Sequence, residues 1–204
     1  MANLEHKNIT NVDLHEPKDI NSAAVDTVYV SDGAGSGTWK IAPTPVVLFQ
    51  QTADKTVADT VTETTLLTTG VGTMTLPANI VKVGSSFRIN MQGRISDTAT
   101  PTLEFKIKLG GITVVSTGAI TLGAVSDDHW ILIFTGVVRS VGTTGTLMGT
   151  GTFLTEQNDH FGLTVAAPIT IDTTVDQVLD VTVTWGTANV SNTITSQTAT
   201  VFIN

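Results

Sequence analysis

The chain has 204 residues, room for one well-packed core with an appendage or for two small domains. Its 38 Thr, 24 Val and 15 Ile favour pleated strands, and without long helix-period stretches they argue against a helical bundle and an α/β enzyme. A net charge of −8 with no cationic cluster excludes a nucleic-acid binder, and zero cysteines exclude disulfides, thiolate nucleophiles and cysteine-based zinc sites.

Residues 1–43 read differently from the rest. Met1-Ala2-Asn3-Leu4-Glu5-His6 has neither a basic nor an apolar signal region, so no secretory leader is expected. Through Asp26 the chain is rich in Asn and Asp, with isolated apolar residues and no sustained period. Thr27–Val30 suits one short strand, followed by a Gly-rich turn from Ser31 to Gly37 and by Trp39. Ala42-Pro43-Thr44-Pro45 acts as a stiff spacer. So few apolar groups cannot fold alone, and a bound partner is the simplest way to order such a segment.

From residue 44 onward the pattern is one of repeated short strands. In chain order they are Val46–Phe49, Thr64–Thr69, Thr73–Pro77, Phe87–Gln92, Leu103–Leu109, Ile112–Val115, Ala119–Leu122, His129–Arg139, Gly145–Leu154, Phe161–Ala166, Leu179–Trp185 and Ile194–Ile203. Leu103-Glu104-Phe105-Lys106-Ile107-Lys108-Leu109 alternates most cleanly, and Gly110-Gly111 offers a hairpin turn after it. The rhythm predicts an all-β fold, an eight-stranded two-sheet jelly roll over residues 44–204. Trp130, Leu132 and Phe134 would point one way and Ile131 and Ile133 the other, so the second face needs cover from a loop, another subunit or a partner. We read this as pointing to an oligomer. The longest apolar run, from Trp130 to Phe134 and on to Val138, is too short to span a bilayer, so no membrane partner is expected.

Few residues carry chemistry. Gly33-x-Gly35-x-Gly37 lacks the following helix and Lys-Ser/Thr of a phosphate loop. Asp127-Asp128-His129 and Asp159-His160 contain oxygen and imidazole ligands that could hold a divalent cation. Asp-rich turns are equally ordinary turn chemistry, and the weight falls there, so neither a metal nor another cofactor is expected. No Gly-x-Ser-x-Gly nucleophile motif exists, and no Glu stands in a distinctive context, so the expectation is a protein that is not an enzyme. Trp130 and Trp185 fit core positions, whereas Trp39 belongs to the appendage and could fill a partner's pocket.

Two stretches resemble a known family. Leu14-His15-Glu16-Pro17-Lys18, the Ala23-Ala24 region and Asp32-Gly33-Ala34-Gly35-Ser36-Gly37-Thr38-Trp39 resemble the N-terminal segment of virion structural proteins of tailed bacteriophages, the head-fibre, head-decoration and tail proteins. Relatives often carry Gly where this chain has Asp19. In the body, Thr75-Leu76-Pro77-Ala78-Asn79, Lys82-Val83-Gly84, Arg88, Gly93, Ser96, Pro101-Thr102-Leu103 and Leu109-Gly110 look like the start of a phage jelly-roll module. Val181–Ala188 and Ser191-Asn192-Thr193-Ile194 look like its last strands.

The resemblance implies a homotrimeric, tumour-necrosis-factor-like jelly roll on the outer surface of a capsid, a decoration or head-fibre protein. An extended N-terminal arm, residues 1–43, would grip the major capsid protein through Leu14, His15, Glu16, Pro17, Lys18, Tyr29 and Trp39. The alternative it allows is a receptor-binding tail fibre or spike tip that holds host surface glycans.

Overall fold

The computed structural model of the protein describes residues 27–31, 37–41, 46–157 and 160–204. The chain divides into two compact units, residues 1–44 and 45–204. Among the described residues every regular element is a strand.

In the first unit, β1 (Thr27–Ser31) and β2 (Gly37–Ile41) form an antiparallel hairpin with Tyr29 opposite Trp39. The first strand is the one expected. The second is hidden in the sequence, because Gly37 opens it and it is only five residues long. A ladder of this length is marginal in water by itself.

The second unit is built from two antiparallel sheets. One contains β3 (Val46–Gln51), β4 (Lys55–Ala58), β6 (Gly70–Gly72), β8 (Ser86–Ser96), β12 (Asp128–Ser140), β13 (Gly145–Thr155), β14 (His160–Leu163), β15 (Ile169–Ile171) and β17 (Thr193–Ile203). Its order is β14-β13-β12-β8-β17-β3-β6, with β15 beside β13 and β4 beside β17. The other contains β5 (Thr64–Thr65), β7 (Thr75–Leu76), β9 (Thr102–Leu109), β10 (Ile112–Ser116), β11 (Ile120–Thr121) and β16 (Gln177–Trp185). Its order is β10-β9-β16-β5, with β11 beside β9 and β7 beside β16.

Strict alternation explains why these strands bury one face. On β8 the buried set is Phe87, Ile89, Met91, Gly93 and Ile95, while Arg88, Asn90, Gln92 and Arg94 are exposed. On β9 it is Leu103, Phe105, Ile107 and Leu109. Phe105 from the smaller sheet meets Phe153 and Trp130 from the larger one, with centroids 4.4 and 5.9 Å away. Trp130 and Trp185 are 0% and 1% exposed, as the sequence pattern indicated. Their indole N–H groups are satisfied: Trp130 donates to the Arg94 and Thr195 carbonyls, Trp185 to that of Val57.

The β9–β10 turn is the expected Gly110-Gly111. Both have positive φ, 59° and 80°, which a two-residue hairpin of this hand demands. The short strands β4, β6 and β15 were not legible, since three or four residues with at most one buried apolar side chain leave no period to read. Phe161–Ala166 is also shorter than expected, because the ladder with β13 ends at Leu163.

Candidate functional site

The two outer faces of the body differ chemically. On the smaller sheet, Glu104, Lys106 and Lys108 of β9 stand beside Glu63, which precedes β5. Lys108 Nζ lies 2.6 Å from Glu63 Oε1, and Lys106 Nζ lies 3.3 Å from Glu63 and 3.2 Å from Glu104. The Lys108 ammonium, with Thr182 and Lys106 behind it, holds the Glu63 carboxyl below its ordinary range, and Glu104 raises the Lys106 ammonium. This face is internally charge-paired and hydrated.

The middle of the larger sheet's outer face interleaves apolar with uncharged polar side chains, and Arg94, His129 and Glu156 stand at one end of it. Cross-strand register sets out its rows. Leu154, Ile131, Gln92 and Thr198 form one; Thr152, Ile133, Asn90 and Thr200 the next; Thr150, Thr135, Arg88 and Phe202 the third; Met148, Val137 and Ser86 the last. Arg88 is the one formal charge in these rows. Ile133 is 41% exposed and Val137 40%, so no described element of residues 46–204 covers them. That answers the question left by the two-faced apolar strand: a loop of the body does not bury its second face. Shallow clefts run along it. One of about 340 Å³ is lined by Arg88, Asn90, Thr135 and Phe202, and one of about 250 Å³ by Asn90, Gln92, Ile131, Ile133, Thr198 and Thr200.

Of the residues singled out from sequence, Leu14, His15, Glu16, Pro17 and Lys18 lie outside the described residues, as does Asp159. The hairpin of the first unit brings Tyr29 and Trp39 together edge to face, centroids 5.4 Å apart, with both half-buried. The Asp127-Asp128-His129 triplet does not converge. Successive strand residues face opposite ways, so Asp128 turns inward while His129 lines an outer cleft with Arg94, Ile131, Leu154 and Glu156. Asp127 is exposed in a turn at φ 57°, its carbonyl accepting from Arg94 Nη1 at 3.0 Å. His160 is exposed on β14. Among the described residues no three His, Asp or Glu side chains form a metal cluster.

Sequence reading missed Asp97. It continues the inward series Phe87-Ile89-Met91-Gly93-Ile95 by one more step of two, and that alternation was the available signal. Asp97 is only 3% exposed, and neither carboxylate oxygen has a hydrogen-bond donor. Burial pushes its carboxyl up to about 6; the Val125 amide, short of hydrogen-bond geometry, offsets part of this, and the Asp128 charge adds to it. Comparison with protein-family models, curated proteins and solved structures finds no match for this chain.

Proposed function

We propose that the protein is a structural component of a tailed-bacteriophage virion, a homotrimeric capsid-decoration or head-fibre protein attached through residues 1–43. The observation that carries the reading is the contrast between the two outer faces. A charge-paired face is suited to water, whereas the rows around Ile131, Ile133, Val137, Met148 and Phe202 are suited to a protein partner. A second copy of the chain is the partner that apolar side chains recurring in each row of this face favour.

The strand order supports a jelly roll. With β5-β16-β9-β10 in one sheet and β3-β17-β8-β12 in the other, the chain changes sheets at every step of this eight-strand series except the β9–β10 hairpin, with β13 to β15 inserted before β16. Tyr29 and Trp39, edge to face on one hairpin, form an aromatic pair of the kind that anchors interfaces. The motifs around Leu14–Lys18 and Val181–Ala188 supply the resemblance to phage proteins.

The alternative of a receptor-binding tail tip draws on the cleft of Arg88, Asn90, Thr135 and Phe202, where polar hydrogen-bonding groups adjoin an aromatic ring. Deletion of residues 2–40 separates the readings. The truncated protein is expected to stay a folded trimer and to be absent from electron-microscopy maps of particles that the full chain decorates. Full decoration by the truncated protein would refute attachment through the arm, and glycan binding by it would favour the tail tip.

A further inference from the structure

We propose that Asp97 and Asp128 form a cation site at one end of the sandwich, selective for a hard, oxygen-seeking divalent ion of the calcium class. Asp97 follows the last residue of β8 and Asp128 begins β12. Asp128 pairs with Ile95, and Asp97 lies two residues beyond Ile95 on the same inward face. Register therefore brings the two carboxylates to one place, at the edge of the core.

Three of their four oxygens, Asp97 Oδ1 and Oδ2 and Asp128 Oδ2, are buried without a hydrogen-bond donor. A buried carboxylate without a donor or counter-charge is costly, and two together repel. Among the described residues no basic side chain pairs with them: Arg94, the nearest along β8, points to the opposite face and donates to the Asp127 carbonyl. The loop between β11 and β12 closes over Asp97, whose amide donates to the Val125 carbonyl at 3.0 Å. A divalent ion would satisfy all three oxygens at once.

The donor set selects the ion. His129 faces away and the chain has no cysteine, so only oxygen is offered, which disfavours zinc and copper. Asp97 with both oxygens and Asp128 with one leave the remaining positions to water and main-chain carbonyls, an irregular shell that calcium accepts and magnesium resists. Two carboxylates place the affinity at about 0.1–1 mM, the range of extracellular modules.

The test uses the full chain, stripped with EDTA, titrated calorimetrically with CaCl2 at neutral pH and melted with and without the ion. One ion per chain is expected, and about 10 mM CaCl2 should raise the unfolding midpoint by ~3–6 °C, with MgCl2 giving less. Asp97→Asn and Asp128→Asn should each abolish the shift, and either suffices if the other fails to fold. Equal midpoints in CaCl2 and EDTA, or a calcium shift that survives these substitutions, would overturn the proposal.

Discussion

Asp97 also makes a prediction in chelated buffer. Its native carboxyl is raised to about 6 against an unfolded value near 3.8, so between these limits the native state holds the extra proton. Its contribution is therefore most favourable below about pH 4 and is lost as pH rises through about 6. Asp97→Asn should stabilise the ion-free protein at pH 7.5 by up to about 2–3 kcal/mol, with the gain vanishing near pH 4. Urea unfolding of both proteins across this range checks it; a gain independent of pH would contradict the assignment. A second residue-scale test concerns Phe134, whose ring lies where side chains on Gly136 and Gly149 would stand. A Cβ on Gly149 would meet Phe134 Cε2 at 2.5 Å. Gly149→Ala should cost about 1–3 kcal/mol by chemical denaturation, through displacement of the ring. Placement of Trp130 and Trp185 in the core was legible because alternation fixes the face of a strand residue. The same rule read one step further along β8 would have found Asp97. It also explains why the contiguous Asp127-Asp128-His129 could not act as one site.

At the scale of elements, the long strands β8, β9, β12, β13, β16 and β17 were legible because each repeats its pattern over eight residues or more. Short strands acquire their structure from the neighbour they pair with, as β4 does from β17 through Ile194 and Val57, and one chain's sequence does not display that pairing. The outer face of the larger sheet was half legible. Ile131 and Ile133 announced a second apolar face, but Met148, Leu154 and Phe202 joined it only through cross-strand register. Ile133→Asp tests what the face does. The side chain is exposed in the single chain, so monomer stability should change by less than about 1 kcal/mol, while a charge at this face should dissociate the proposed oligomer. Circular dichroism with size-exclusion chromatography reads both quantities, and an unchanged elution volume would remove this face from the assembly.

For the whole molecule, the composition is an average over two unlike parts. The β-branched residues concentrate in the body, and the Asn- and Asp-rich stretch belongs to residues 1–43. The body buries a continuous core between its sheets, and its larger sheet still exposes apolar side chains such as Ile133 and Val137 on its outer face. A symmetric assembly through that face would turn surplus apolar surface into a stable particle component without disulfides. The proposed trimer is checked by the sedimentation-equilibrium mass of the full chain at micromolar concentration. A homotrimer gives a single species of three times the 21.4 kDa chain mass. A single species at the mass of one chain would contradict it.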